Sequence, residues 1–280
     1  MIFLGIVIEA LPFVLLGVFI STMIAHYVDE NKLIKIIPKN RFGAIIVASF
    51  IGFLFPVCEC GNIPVARRLI NKGVKPNVVL TFLLAAPVIN PVVIFATWSA
   101  FKFMPEIVYL RIIFTFLIAW LIGFIFSFYP DQAELVSTYK KNPKSKHLHG
   151  SFSKTLSDEF FEMMKVLVFG ALLASFIQVI IPRNMILAIG TGPILSVLAM
   201  ILFAFVISVC SNVDAFIALS YVNSFLPGSL LAFLVFGPMI DLKSLFMYNT
   251  IFNWKTIFKY SLMILLLTTF LTFFMNLQIS

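Results

Sequence analysis

Two short polar stretches follow long apolar runs: PVCECGNIP at 56–64 and ISVCSNVD at 207–214. Both carry residues able to hold a soft ion. Cys58, Cys60 and Cys210 supply sulfur, the ligand type that suits a trivalent metalloid or a soft or borderline metal ion. Asn62 and Asn212 can donate and accept hydrogen bonds without charge. Asp214 and, further on, Asp241 add carboxylates, which favour a harder cation or proton coupling and are costly inside an apolar run. Each residue also has a plainer reading. A free cysteine is usually a small inert hydrophobe, an asparagine beside a helix start usually caps it, and Asp241 has Lys243 two residues on as a neutralising partner. A thiolate at Cys58 would be favoured by the free N–H groups of a helix start, and opposed by the carboxylate of Glu59. The pattern lifts the chemical reading above the plain one, because the cysteines sit among helix breakers: Pro56, Gly61 and Pro64 around the first stretch, Pro87 and Pro91 in LAAPVINPVVI, and Gly237 and Pro238 in VFGPMIDLKSL.

These breakers must be positioned by membrane helices. Of 280 residues, 61% are hydrophobic and 11% charged, against roughly 25% charged in a soluble domain. Mean hydropathy is +1.07. Several segments reach the ~20 apolar residues that cross a bilayer, so the chain reads as an all-α polytopic membrane protein whose first partner is lipid. The opening run lacks a basic flank and contains Glu9, so it reads as a span and not a cleaved signal. The net charge of +8 is no nucleic-acid footprint, because the basic residues collect in short connections as in cytoplasmic loops.

The chain repeats itself. Glu9 and Gly17 are matched by Glu162 and Gly170, Cys58 by Cys210, Pro87 by Pro238 and Asn90 by Asp241, at offsets of 153, 152, 151 and 151 residues. Ordered matches at a near-constant offset indicate duplication. The division is 1–128 for the first membrane repeat, 129–157 for a basic linker and 158–280 for the second repeat. Lys32, Lys35, Lys39 and Arg41, then Arg67, Arg68, Lys72 and Lys75, then the linker, then Lys255 and Lys259 mark cytoplasmic segments by the positive-inside rule. Both ends of 42–66 then lie on one side, which makes this stretch a re-entrant hairpin. Each half holds about three spanning helices plus one hairpin, about 6–8 spans in all with the hairpins set apart, and an odd number of spans inverts the second half. In inverted repeats the equivalent breaks meet near the midplane. Cys58, Cys60, Asn62, Asn90, Cys210, Asn212, Asp214 and Asp241 are therefore expected to share one substrate site, with Glu9, Glu59 and Glu162 as candidates for ion coupling. Lys165 stands at the i+3 position for an ion pair with Glu162. The Arg67–Arg68 pair reads as a topology determinant.

The motifs PVCECGNIPVARRLINKGV, FLLAAPVINPVVI, SVCSNVDAFIAL and FLVFGPMIDLKSL resemble those of the YraQ/ArsP-type family of bacterial predicted permeases, over nearly the whole chain. The resemblance implies a multi-pass protein of the bacterial cell membrane. Characterised arsenical permeases of the family export trivalent methylated arsenicals, and cysteines are implicated. Carried over, this points to Cys58 and Cys60 first and then to Cys210. The arsenical exporters typically have serine between the cysteines where this chain has Glu59, which aligns it with the Gram-positive-type branch.

The leading function is a permease, a secondary transporter or exporter of a small solute or ion, with no cofactor and no enzymatic activity. No G-x-x-x-x-G-K-[ST] occurs, so energy would come from a gradient. The alternatives are an intramembrane thiol enzyme, for which His26 and the linker histidines offer no convincing base, and a non-transporting scaffold or accessory protein. An accessory membrane or extracytoplasmic partner is compatible with either membrane reading. Resident metal, substrate, direction and oligomeric state are not legible.

Overall fold

The computed structural model describes residues 2–27, 38, 40–54, 57–129, 135–136, 152–180 and 192–279. All the extended elements among them are helices: α1 (Ile2–Tyr27), α2 (Arg41–Leu54), α3 (Glu59–Asn71), α4 (Pro76–Ala85), α5 (Pro91–Ala100) and α6 (Pro105–Ser127). Then come α7 (Phe152–Ile180), which begins within the stretch 129–157 expected as linker, α8 (Pro193–Ile207), α9 (Asp214–Leu219), α10 (Pro227–Met239), α11 (Leu242–Tyr248) and α12 (Trp254–Ile279). Proline opens α4, α5, α6, α8 and α10, where its missing N–H would have had no intrahelical partner. Helix α1, α6, α7 and α12, and α10–α11 taken together, are each long and apolar enough to cross a membrane. Their outward faces carry exposed apolar side chains such as Phe176, Phe258 and Phe270, which suits lipid as solvent. This is a multi-pass membrane protein.

Short contacts fix the direction of each helix. Asn77 at the start of α4 donates to Gly123 O near the end of α6, and Lys72 just after α3 donates to Ala25 O near the end of α1. Phe42 packs against Phe124, and Ser49 accepts from Trp120, so α2 enters antiparallel to α6. The ends of α1, α3 and α6 and the starts of α2 and α4 thus gather at one face. The α2–α3 stretch goes in from this face and comes back to it. At the opposite face Thr97 in α5 accepts from Arg111 near the start of α6, so α4 and α5 together make one interrupted crossing. In the second half, Asn276 near the end of α12 meets Pro193 and Gly228, the starts of α8 and α10. The α8–α9 stretch therefore enters from the other face.

Packing repeats with the sequence. Helix α2 lies on α4 and α6, α4 on α6, and α3 on α4; likewise α8 lies on α10 and α12, α10 on α12, and α9 on α10. The exchange between halves repeats too, α5 against α9 and α3 against α11. Two features differ from the sequence expectation. The two arms of the hairpin are splayed, each packing on α4, because α4 is almost wholly buried and needs apolar cover on both sides. The returning arm also runs on to Asn71, past the expected end at 66. One departure from symmetry stands out: α1 packs on α3, whereas α7 packs on α11.

Candidate substrate site at the helix breaks

The first turn of α3 begins in the interior. Cys58 is its N-cap residue and Glu59 its first helical residue, where a carboxylate is stabilised by the helix dipole. Cys58, Glu59, Cys60 and Asn62 are all buried. This turn is let into the core by a backbone contact. A Cβ on Gly17 of α1 would lie 2.1 Å from Gly61 O, and one on Gly61 would lie 2.5 Å from Phe13 O, so only glycine at both positions permits this approach. From the other repeat, α8 ends at Ser208 in a left-handed conformation (φ 49°), and Cys210 follows in the non-helical segment. The Sγ atoms of Cys58 and Cys210 and one carboxylate oxygen of Glu59 all lie within 4.8 Å of one another. Cys60 adjoins Cys58 on the same turn.

The third component is the break between α10 and α11. Asp241 is the N-cap of α11: its Oδ1 accepts from Ser244 N at 2.6 Å, and Ser244 Oγ accepts from Asp241 N at 2.9 Å. Asn90, its repeat partner, caps α5 in the same way by accepting from Val92 N at 2.9 Å. The capping reading of Asn90 therefore holds, and Asp241, for which the sequence offered only Lys243 as partner, is a cap as well. Lys243 reaches back across the repeat boundary, its Nζ 3.0 Å from Glu59 Oε1, 3.4 Å from Asp241 Oδ2 and 3.2 Å from Ser208 O. Exposures of 2% for Glu59, 1% for Asp241 and 3% for Lys243 show that these charges are withdrawn from solvent. Val57 O accepts from both Asn62 and Asn90 at 3.3 Å, tying the two breaks of the first repeat together. Several buried oxygens in this region make no hydrogen bond within the protein: Glu59 Oε2, Asn62 Oδ1, Ser211 Oγ and Asp241 Oδ2. With two buried carboxylates against one ammonium and sulfur beside them, the arrangement can hold a soft cation or electrophile.

Other expected site residues are placed differently. Asp214 belongs to an ion pair, not to this cluster: its carboxylate takes Arg111 Nη1 at 3.1 Å and Nη2 at 2.6 Å, and Thr97 accepts from Arg111 at 2.7 Å. Arg111 lies in the middle of an apolar sequence and 103 positions from Asp214, so no local pattern announces the pair. Glu162 pairs with Arg67 at 2.7 Å and not with Lys165. Arg68, read as a topology marker, bonds Glu159 at 2.9 Å, and Ser21 donates to the same carboxylate. Glu9 is half-buried on α1 with Oε1 unbonded, within electrostatic reach of Lys243 and Glu59. Asn212 is partly buried, with Oδ1 unbonded.

Not every breaker breaks a helix. Pro64 lies inside α3, and Gly237 and Pro238 lie inside the last turn of α10. Gly61 is in the first turn of α3 as a packing residue. Pro87 does sit in the α4–α5 interruption, while Pro91 starts α5. Pro56 lies outside the described residues. Across the α10–α11 break the freed Met239 carbonyl accepts from the buried Tyr248 hydroxyl at 3.2 Å, as backbone at membrane depth requires.

A protein family described as predicted permease, ArsP_1, matches residues 1–277. A Streptococcus mutans protein named as a two-component membrane permease complex subunit is 37% identical over 270 residues, covering 92% of this chain and 88% of its own. The UPF0718 protein YcgR of Bacillus subtilis is 40% identical over 264 residues, covering 92% of this chain and 90% of its own. No solved structure matches. The chain belongs to the ArsP_1 family of predicted permeases.

Proposed function

We propose that this permease carries a thiophilic metal or metalloid species, bound between the repeats by Cys58, Cys210 and Glu59, with Cys60 beside them. The observation that carries the reading is the meeting of these donor atoms, drawn from opposite halves of the chain, within 4.8 Å of one another. Two sulfurs bound to a tetrahedral ion at about 2.3 Å each would be roughly 3.8 Å apart, so a modest contraction closes the set. A site built from both repeats is also one that relative movement of the repeats would assemble and dismantle, as alternating access requires. A thiol enzyme is less well supported: His26, the histidine among the described residues, packs against Phe152 at the end of α1, and the family is one of permeases.

The host membrane is the bacterial cell membrane, with the 129–157 linker in the cytoplasm. The relative's name as a complex subunit supports a second membrane component as partner. The decisive experiment is flux of cadmium, zinc or arsenite in vesicles holding the full chain with its partner. Cys58→Ser and Cys210→Ser are each expected to lower flux at least about tenfold, the loss that follows from removing one soft ligand. Unchanged flux of all three probes in the double variant would overturn the site.

A further inference from the structure

We propose that Lys243 is a tethered counter-ion which the cargo displaces, so that the cargo is a divalent cation and not a neutral metalloid species. The inference rests on the site reading above. Lys243 Nζ occupies Glu59 Oε1 at 3.0 Å, while Glu59 also offers an oxygen to the Cys58 and Cys210 sulfurs. One carboxylate thus serves both the ammonium and the ligand set. A cation entering that set repels the ammonium at short range, where little solvent screens them. Asp241 is within reach to receive it: its Oδ2 is 3.4 Å from Nζ and, like Glu59 Oε1, makes no hydrogen bond, while its Oδ1 is committed to capping α11.

The step replaces the closer ion pair with Glu59 by a closer one with Asp241 and forms metal–oxygen and metal–sulfur bonds. Lys243 keeps its proton throughout. The protons given up by the thiols on metal binding pass to water. When the cation leaves, the ammonium returns to Glu59, so neither half of the cycle leaves that buried carboxylate bare. A neutral metalloid would bind the sulfurs without displacing Lys243. Because Glu59 sits on α3 and Lys243 on α11, exchange also breaks a bond between the repeats just as the cargo forms another.

The test is Zn²⁺ titration of the purified full chain in nanodiscs, with folding followed by thermal unfolding. Lys243→Met is expected to bind Zn²⁺ at least tenfold more tightly and to lose transport, and Lys243→Arg to bind as wild type. Asp241→Asn keeps the cap but not the charge, so it is expected to bind several-fold more weakly, its ammonium having nowhere to go. Wild-type or weaker affinity in folded Lys243→Met overturns the exchange. Should that variant fail to fold, wild-type affinity in Asp241→Asn overturns it. Undiminished binding in Cys58→Ser/Cys210→Ser instead rejects the site itself.

Discussion

Gly17 and Gly61 bring two helix backbones into contact, and that contact sets the depth at which Cys58 and Glu59 sit. A methyl group on Gly17 would meet the Gly61 carbonyl at 2.1 Å, and backbone cannot swing aside as a side chain can. Gly17→Ala is expected to cost about 1–3 kcal/mol, seen as a lower unfolding temperature in detergent. Gly5→Ala on the same helix, where a Cβ meets nothing within 4 Å, should not lower it. The Arg111–Asp214 pair is the second residue-scale determinant. Asp214→Asn leaves a buried guanidinium without its counter-charge, and such losses run to about 3–5 kcal/mol. Replacing both partners with apolar residues, Arg111→Met with Asp214→Leu, should recover much of the stability lost in the single variant, because neither charge is then stranded. Asp214 looked like a cargo ligand from sequence because its charge partner is remote along the chain. Cys58, Cys210 and Asp241 could be placed from sequence because the duplication itself aligned them with one another's breaks.

At the scale of elements, α3 is the arm that carries two of the thiols, and it is tied to the second repeat at both ends. Lys243 holds its first turn; Glu159 and Glu162 of α7 hold Arg68 and Arg67 near its last. The two outer pairs are unequal. Arg68–Glu159 is buried and shares its carboxylate with Ser21, whereas the Glu162 side chain is 40% exposed. Exposed pairs contribute little, and a buried pair broken on one side costs much more. Glu159→Gln is therefore expected to free the end of α3 and to speed labelling of Cys58 and Cys60 by a small membrane-permeant maleimide, while Glu162→Gln changes the rate little. Equal rates in both variants would remove the latch. The splay of α2 from α3 could not be read from hydropathy, which reports that each arm is apolar but not which neighbour covers it. Nor could the helical setting of Pro64 and Pro238, which lie inside α3 and α10: each removes an i→i−4 hydrogen bond without ending its helix, so the residue type alone marks the neighbourhood of a break and not its place.

At the scale of the whole molecule, six crossings and two re-entrant pairs among the described residues follow from helix directions that side-chain contacts fix independently of any bilayer. Positive charge then orients the assembly. The face where α2 and α3 begin and end also gathers Arg41, Lys72, Lys75, Lys255 and Lys259, and Lys259 meets Tyr129 there at the start of the linker. Lys102 is a basic residue in the α5–α6 turn on the opposite side. This asymmetry was readable from sequence because the rule concerns short loops, and loop charge survives folding unchanged. If α2–α3 instead crossed the membrane, the connection after α3 would face outward and the second half would repeat the first in parallel. Single cysteines in a Cys58→Ala/Cys60→Ala/Cys210→Ala background separate the two arrangements. Positions 75 and 255 are exposed at one face, and 102 and 224 at the other. Lys75→Cys and Lys255→Cys should be protected in intact cells from an impermeant maleimide and labelled in inverted vesicles, while Lys102→Cys and Ser224→Cys should be labelled in intact cells. Labelling of Lys75→Cys from outside would turn α2–α3 into a span, separate Cys58 from Cys210 by topology, and dissolve the shared site on which the proposed transport depends.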